Sequence, residues 1–252
     1  MHAPGEYLHP MGQNIVLLTA TITPRSAQPG LRLQDPAQRL QDYRDAFAFY
    51  AAQLAAGTID AIVFAENSGH SLAPLREAYT DPRIEWLVCD DLDYPSHYHR
   101  GYGEFRLIDR AMAQSRIIAA AGDDAVIWKI TGRYVIENLR SVIRYAPRRF
   151  ALYCKLDEKW VEMSIMAWTK RGHARLLKDS ADAFGTPMAP ELILAPRLMA
   201  TQLPDCPIVG RFTWPPLIVG RRGTDGTPFT SWRTRLKFNA LLLPRLARIA
   251  FR

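Results

Sequence analysis

The chain has 252 residues, of which 48% are hydrophobic and 23% are charged, so disorder or a fibrous repeat is not indicated. Its 32 Lys and Arg residues outnumber its 25 Asp and Glu residues, giving a formal net charge of +7. The three cysteines lie far apart and show no CxxC spacing, so neither a zinc site nor a disulfide framework is indicated. No stretch approaches the ~20 apolar residues of a membrane span, and the first residues do not resemble a secretory signal. We predict one cytoplasmic domain over residues 1–252.

Strands and helices are predicted to alternate through the first half of the chain. Continuous apolar runs predict buried strands at 15–21, 59–66, 84–89 and 125–130. Helical spacing of apolar residues predicts helices at 42–56, 72–79 and 105–121. This alternation predicts an α/β fold of Rossmann type, with a mainly parallel sheet flanked by helices. Ligands bind such sheets at the carboxyl ends of the strands, which here are followed by loops 19–25, 66–71, 89–104 and 131–138.

The second half has a less regular pattern. Helical spacing predicts a helix within 157–178 and another at 190–199, where Pro190 and Glu191 are typical of a first turn. Residues 204–231 are rich in Pro, Gly and Thr, which predicts loops with short strands. We predict that this half is the smaller part of the fold.

Most of the net charge lies at the end of the chain. The last twenty residues hold six basic residues and no acidic residue, interleaved with aromatic and aliphatic ones. This pattern predicts that residues 232–252 form an amphipathic tail on an anionic membrane surface. The alternatives are a helix packed on the core and a nucleic-acid patch. Because no nucleic-acid-binding motif is present, we predict no nucleic-acid partner.

Small and polar residues follow the first two predicted strands. Thr19, Ala20 and Thr21 end the first strand and would let a base or ribose approach the backbone. Glu66 and Asn67 end the second strand, ahead of a Ser-Gly turn. Each motif alone also fits an ordinary strand end or turn. Because the two strands are predicted neighbours, together they indicate a ligand crevice.

Two further motifs bear on phosphate and metal binding. Gly101, Gly103 and Glu104 precede a predicted helix, whose free amides can bind a phosphate; a plain helix start is the alternative. Asp91 and Asp93 have a spacing that can hold a divalent cation, although short acidic runs are more often solvated loops.

The segment 129–134, Lys-Ile-Thr-Gly-Arg-Tyr, carries two cations at the end of the fourth predicted strand. Burying Lys129 in an apolar strand is costly unless it is paired, and Gly132 permits a tight turn that directs Arg133 to the crevice. Together the two cations can neutralise a departing diphosphate without a metal. The alternative for Lys129 is a structural ion pair with Glu137 or Asp124.

Several strings occur in an order that resembles bacterial GT-A-type glycosyltransferases of surface polysaccharide biosynthesis (lipopolysaccharide or capsule): TATITP, IVFAENSG, GYGEFRLIDRAM and WKITGRYVIENL. The resemblance covers residues 14–140 and extends loosely beyond them. It implies a nucleotide-sugar-binding half at 14–140 and an acceptor-binding half at 141–231. It also implies that the donor is bound by Thr19, Ala20, Thr21, Glu66, Asn67, Gly101, Gly103, Glu104, Thr131 and Gly132.

The resemblance also bears on whether the chain binds a metal ion and on which carboxylate acts as the catalytic base. Enzymes of this type usually carry Asp-x-Asp after the fourth strand, where this chain has Thr131-Gly132-Arg133. We therefore predict no metal ligands and no cofactor, and a divalent metal stays open as the less favoured alternative. An inverting transfer needs a carboxylate to deprotonate the acceptor hydroxyl. The candidates are Glu191, Glu162 and Asp157, and stabilisation of a helix N-terminus is the alternative role of Glu191.

The predicted function is transfer of a sugar from a nucleotide-sugar donor to a hydroxyl of a glycan or lipid-linked acceptor, with Lys129 and Arg133 stabilising the diphosphate. A peripheral position on the inner membrane follows from the basic tail. Two alternatives stay open, a non-catalytic nucleotide- or membrane-binding module and a sugar nucleotidyltransferase. The latter would be expected to carry a Gly-rich loop with Arg and Lys after the first strand, which TPRSAQPGLR fits poorly.

Overall fold

The computed structural model describes residues 12–26, 31–205, 207–223 and 225–230. The predicted basic tail at 232–252 and Cys206 lie outside these described residues. The strands, in chain order, are β1 (Asn14–Ala20), β2 (Ala61–Glu66), β3 (Ile84–Val88), β4 (Val126–Thr131), β5 (Val135–Ile136), β6 (Leu152–Tyr153), β7 (Ile165–Thr169), β8 (Ile208–Val209) and β9 (Ile218–Val219).

The helices lie between these strands and cover both faces of the sheet. They are α1 (Pro36–Ala55), α2 (Ala73–Ala78), α3 (Gly101–Gln114), α4 (Arg116–Ala120), α5 (Leu139–Arg144), α6 (Lys170–Gly172) and α7 (Pro190–Ala200). A π-helical turn (His173–Leu177) continues α6, and a 3-10 helix (Ser180–Phe184) precedes α7. Within the described ranges, no helix combines the length and apolar character needed to cross a membrane.

Seven strands form one sheet in the order β3-β2-β1-β4-β7-β6-β8. The first four are mutually parallel, β7 runs antiparallel to β4 and β6, and β8 is parallel to β6. β5 and β9 pair separately as a short antiparallel ribbon. The predicted α/β fold with a mainly parallel sheet flanked by helices is confirmed.

The central strand β1 is buried on both faces because helices cover both sides of the sheet. Ile15 and Leu17 point into a core shared with α3 and α7, whereas Val16 and Leu18 point into a core shared with α1 and α5. This alternation follows from the two-residue period of a strand. The carboxyl end of β1 therefore emerges between two packed layers, where the site lies.

Helix α1 begins earlier than its apolar spacing predicts. Asp35 is its N-cap, accepting hydrogen bonds from the amides of Ala37 and Gln38, and Pro36 occupies the first turn. The added turns are polar and largely exposed, which is why hydrophobic periodicity alone missed them. They carry Arg39 to the end of β1.

The helix predicted at 105–121 is two helices divided at Ser115. The Ser115 hydroxyl caps α4 by accepting from the Ile118 amide, 3.0 Å away, and donates to Glu85 of β3 at 2.6 Å. Glu85 also accepts the amides of Arg116 and Ile117. A buried carboxylate on the sheet thus fixes where the second helix begins.

The helix predicted within 157–178 is wrong over most of its length. Residues 165–169 form β7, which pairs with β4 so that Ile165 lies opposite Ile130 and Trp168 opposite Ile127. Both faces of β7 are buried, and a continuous apolar run fits a buried strand as well as a buried helix. The antiparallel pairing with β4, which a single segment does not reveal, decides between them.

Candidate functional site

Two adjoining cavities open at the carboxyl ends of the parallel strands. The first has a volume of about 100 Å³ and the second of about 440 Å³. Four residues line both of them: Arg100, Glu104, Thr131 and Arg133. One elongated ligand can therefore occupy the first cavity and present its end to the second.

The first cavity is cationic. Its described lining residues all fall between positions 19 and 133, and they include the four arginines Arg25, Arg39, Arg100 and Arg133 but only one carboxylate, Glu104. Guanidinium groups bind phosphate oxygens through paired hydrogen bonds. The charge of this cavity suits a phosphate-bearing ligand.

Six residues predicted from the sequence to bind the donor do line this cavity. They are Thr19, Ala20, Thr21, Asn67, Glu104 and Thr131. The strand register explains the grouping, because Thr19 of β1 lies directly between Ala65 of β2 and Thr131 of β4. Parallel neighbours end at the same edge of the sheet, so residues distant in sequence meet there.

A hydrogen-bond network holds the floor of the first cavity. The Thr21 hydroxyl donates to the Asn67 side-chain oxygen at 2.6 Å, and the Asn67 amide donates to the Gly103 carbonyl at 3.3 Å. The Thr21 amide donates to the Tyr43 hydroxyl at 3.0 Å, while its carbonyl accepts from Arg39 Nε at 2.7 Å. The loop after β1 is thus tied to α1, to the end of β2 and to α3.

Across the top of this cavity, Arg25 contacts Tyr94. The Arg25 guanidinium donates to the Tyr94 carbonyl and lies 5.0 Å from the centre of the Tyr94 ring. Arg25 follows β1 and Tyr94 follows β3, so this contact bridges two of the strand-end loops.

At the junction of the cavities lies an ion pair between the buried Lys129 and the partly exposed Glu104. Lys129 is fully buried, and its Nζ lies 2.6 Å from Glu104 Oε1 and 2.5 Å from the Met163 carbonyl oxygen. The Thr19 hydroxyl donates to the same Glu104 oxygen at 3.0 Å. Lys129 is absent from the lining of both cavities, whereas Glu104 lines both.

The structural-pair alternative for Lys129 is the one observed, with Glu104 as the partner in place of Glu137 or Asp124. The predicted direct contact of Lys129 with a diphosphate is therefore not supported, because the ammonium is enclosed. Burial acts to raise the pKa of Glu104, but the Lys129 charge and its hydrogen bond outweigh burial and lower it. Glu104 is accordingly an anion at neutral pH.

Arg133 does reach the junction of the cavities. It is held by hydrogen bonds to the Arg221 carbonyl at 2.5 Å and to the Tyr134 hydroxyl at 2.8 Å. Gly132 precedes it and donates its amide to the Thr19 carbonyl at 2.8 Å. A Cβ at Gly132 would lie 3.0 Å from that carbonyl oxygen, so glycine lets the turn pack closely against β1.

The second cavity adds residues from the second half of the chain, including Trp160, Glu162 and Glu191. Glu191 lies in the first turn of α7, and its Oε2 is buried with no hydrogen-bond partner in the described part of the chain. Burial raises the pKa of Glu191, and the charges of Glu104 and Glu162 raise it further. Such a carboxylate is suited to accept a proton.

The other two candidate bases are placed differently. Glu162 lines the second cavity but accepts the Ser164 amide at 3.0 Å. Asp157 accepts the amides of Lys159 and Trp160 and shapes a turn outside the lining of either cavity. The geometry favours Glu191.

Glu66 is buried beneath the loops and holds them in place. It is fully buried, and its carboxylate accepts the amides of Ile22 at 2.9 Å, Ser68 at 3.0 Å and His70 at 3.1 Å. It is not among the lining residues of either cavity. It therefore shapes the loops after β1 and β2, and the predicted direct contact with the donor is not supported.

Gly101 and Gly103 serve close packing of α3. A Cβ at Gly101 would lie 2.1 Å from Pro190 Cγ of α7, and one at Gly103 would lie 2.9 Å from the Tyr94 ring. The Gly101 amide donates to His99 Nδ1 at 3.1 Å. It is therefore not the free amide predicted for a phosphate, and both glycines lie outside the lining of the cavities.

The Asp91 carboxylate is also committed. It is buried and pairs with Arg106 and, at 3.3 Å, with Arg110, so it anchors α3 to the loop after β3. Asp93 is exposed. Among the residues that the structure describes, no three His, Cys, Asp or Glu side chains are grouped as metal ligands would be.

Sequence reasoning missed several lining residues of the first cavity, among them Arg25, Arg39, Tyr94 and Arg100. Arg25, Tyr94 and Arg100 fall in the strand-end loops that the sequence marks for ligand binding, so their position was available as a signal. Arg39 required the N-cap signature of Asp35 and Pro36, which places it inside α1.

No protein-family model matches the chain, and no curated protein matches it. Among solved structures, it is similar to a 4-diphosphocytidyl-2C-methyl-D-erythritol synthase, with 10% identity, coverage of 91% of this chain and 98% of the other, and a TM-score of 0.46. It is also similar to a nucleotidyl transferase from Methanothermobacter thermautotroptrophicus, with 13% identity, coverage of 92% of this chain and 99% of the other, and a TM-score of 0.37. For mouse xyloside xylosyltransferase 1 the identity is 8%, the coverage is 78% of this chain and 84% of the other, and the TM-score is 0.37. These TM-scores are too low to carry a conclusion about this chain.

Proposed function

We propose that the chain is a glycosyltransferase that moves a sugar from a nucleotide-sugar donor to a hydroxyl of a glycan or lipid-linked acceptor. One observation carries the proposal: an arginine-rich cavity opens directly into a second cavity lined by Glu191, whose buried Oε2 has no hydrogen-bond partner among the described residues. This is the arrangement that a phosphate-bearing donor, a departing diphosphate and a hydroxyl nucleophile require.

The donor occupies the first cavity in this proposal, with its diphosphate at Arg100 and Arg133, the two arginines that line both cavities. What supports this placement is that guanidinium charge at the junction would stabilise the negative charge that develops as the sugar leaves. Lys129 acts indirectly, because its positive charge offsets the negative charge of Glu104, which would otherwise repel the phosphates. The division into a donor half at 14–140 and an acceptor half at 141–231 is supported by the origin of the lining residues.

The acceptor occupies the second cavity, with Glu191 as the base that takes the proton of its hydroxyl. Trp160 is 40% exposed at this cavity and offers a flat apolar surface for a sugar ring. We propose that Arg133 takes the place of a metal at the diphosphate, so that transfer proceeds without a divalent cation. We propose that the acceptor is a surface polysaccharide or its precursor. We also propose that residues 232–252 bind the anionic surface of the inner membrane.

The proposal is tested by measuring the melting temperature with UDP, CDP, GDP, ADP and their hexose conjugates, each with and without EDTA. A nucleotide at 100 times its Kd adds about 2.7 kcal/mol to the stability of the fold, which is readily measured. We expect at least one nucleotide to stabilise the protein equally in EDTA. If no nucleotide or conjugate raises the melting temperature, with or without EDTA, the proposal is wrong.

Arg133→Ala is expected to lower sugar transfer by about 100-fold, because the leaving diphosphate loses a preorganised cation. Arg133→Lys should recover only part of the rate, since an ammonium keeps the charge without the paired hydrogen bonds. The measurement is release of nucleoside diphosphate at saturating donor. Arg140→Ala is the matched control, because Arg140 is exposed and outside the lining of both cavities. An unchanged rate in Arg133→Ala would remove the assigned role.

A sugar nucleotidyltransferase is the second candidate, and the position of Arg25 favours it. Although the loop TPRSAQPGLR lacks a dense Gly, Arg and Lys pattern, Arg25 follows β1 and does line the first cavity. The two activities release different products. A nucleotidyltransferase joins a sugar 1-phosphate to a nucleoside triphosphate and releases pyrophosphate from the triphosphate. The proposed glycosyltransferase instead releases a nucleoside diphosphate from the donor.

A further inference from the structure

We propose that Tyr134 is a positioning residue for Arg133 and holds its guanidinium in the orientation in which it binds the diphosphate. The inference rests on the proposed function for the role of Arg133, and adds a second residue on which that role depends. Tyr134 directly follows Arg133 in the chain, is buried, and lines the second cavity. Arg133 is half-buried and lines both cavities, so its orientation decides what a ligand at their junction meets.

The Arg133 guanidinium is held at both of its terminal nitrogens. Nη1 donates to the Arg221 carbonyl at 2.5 Å, and Nη2 donates to the Tyr134 hydroxyl at 2.8 Å. The central carbon Cζ lies 4.6 Å from the centre of the Tyr134 ring. Because a guanidinium is planar and rigid, bonds at two different nitrogens fix the orientation of the whole group. These bonds use two of its five N–H groups, and the others can donate to phosphate oxygens.

Tyr134 is itself held in place at its ring and its main chain. Its ring meets the Phe229 ring edge-on, with the two ring centres 4.9 Å apart. A Cβ at Gly220 would lie 2.7 Å from Tyr134 Cδ1, so the backbone after β9 packs closely against the ring. The Tyr50 hydroxyl donates to the Tyr134 carbonyl at 2.7 Å and accepts the Ile136 amide at 3.2 Å. Tyr134 is therefore a fixed support for Arg133 before any ligand binds.

The Tyr134 hydroxyl is a neutral partner for Arg133. Burial raises the pKa of this hydroxyl above its ordinary value of 10.0, although the Arg133 charge acts to lower it. The hydroxyl is therefore protonated at neutral pH, and the Arg221 carbonyl carries no net charge either. Arg106 differs, because it pairs with the Asp91 carboxylate, whose charge offsets its own. The two partners of Arg133 thus orient its guanidinium and leave its positive charge for an anionic ligand.

The test measures the Kd of inorganic pyrophosphate for the full chain by isothermal titration calorimetry. Four forms are compared: wild type, Tyr134→Phe, Arg133→Ala and the double variant. Tyr134→Phe keeps the ring and its packing and removes only the hydroxyl. We expect it to weaken binding about threefold to tenfold, the range for loss of one hydrogen bond. In the Arg133→Ala background the same change should have no effect, because Tyr134 acts through Arg133.

Tyr79→Phe is the matched control, because Tyr79 is half-buried, packs against Phe47 and lies outside the lining of both cavities. We expect its Kd for pyrophosphate to equal that of the wild type. Two results overturn the inference and leave the proposed function intact: wild-type binding in Tyr134→Phe, and equal weakening by Tyr134→Phe with and without Arg133. If the wild type does not bind pyrophosphate, or if Arg133→Ala binds it as tightly, the proposed role of Arg133 and the inference are contradicted together.

Discussion

Glu191→Gln is expected to lower sugar transfer by about 10²–10⁴-fold while leaving the Kd of the donor nearly unchanged. Glutamine has the shape of glutamate but cannot take a proton from the acceptor hydroxyl. Glu191 lines only the second cavity, whereas the donor is proposed to bind in the first. Single-turnover transfer and donor titration on the same preparation separate the two effects.

The pH profile tests the same role independently. Burial and the neighbouring carboxylates raise the pKa of Glu191 above its ordinary value of 4.5, so the active deprotonated form is lost as the pH falls through that raised pKa. The wild-type rate should therefore fall on the acid side at a pH above the range of an exposed glutamate, and this limb should be missing in Glu191→Gln.

Glu162→Gln is the control for Glu191, because Glu162 lines the same cavity but accepts a backbone amide. We expect Glu162→Gln to reduce transfer much less than Glu191→Gln. If Glu162→Gln abolishes the acid limb and Glu191→Gln retains it, the base is Glu162.

Lys129→Met is expected to destabilise the fold by about 3–5 kcal/mol at pH 7, because it leaves Glu104 as a partly buried anion without its cation. Urea unfolding monitored by circular dichroism measures the change. The double variant Lys129→Met/Glu104→Leu should recover most of the lost stability, since replacing both members of a buried pair by apolar residues is often neutral. Equal destabilisation of the single and double variants would show that the pair is not coupled.

The pH dependence of this variant has a defined sign. In the wild type the pKa of Glu104 is lowered by Lys129, so the stability it contributes is present at neutral pH and is lost as the pH falls through that pKa. In Lys129→Met that lowering is removed and burial dominates. The difference in unfolding free energy between wild type and variant should therefore shrink from pH 7 to pH 4, since protonation of Glu104 relieves the buried charge.

The parallel half of the fold was predictable because β1, β2 and β4 are almost wholly buried and β3, although partly exposed, is still a largely apolar run. All four strands, β1 to β4, lie where apolar runs place them. The second half was less predictable, because β7 is read as a strand only through its antiparallel pairing with β4. Short strands such as β6 and β8 have two residues each, too few to give any periodicity.

The candidate site was predictable where strand ends place residues directly. Thr19, Asn67 and Thr131 follow from the order of parallel strands. The partner of Lys129 was not predictable, because Glu104 comes from α3, a separate element, and only tertiary packing aligns them. The contact of Gly101 with Pro190 joins α3 to α7 in the same way, and no local pattern signals it.

That contact between Gly101 and Pro190 has a consequence for how specificity can evolve. Helix α3 carries Glu104 and helix α7 carries Glu191, and the two helices meet where even one added methyl group would collide. The spacing between Glu104 and the proposed base is thus set by the Pro190 ring packed against the backbone of Gly101. If the proposed transfer is correct, exposed side chains around the second cavity, such as Trp160, can diverge to accommodate new acceptors without changing the spacing between Glu104 and Glu191.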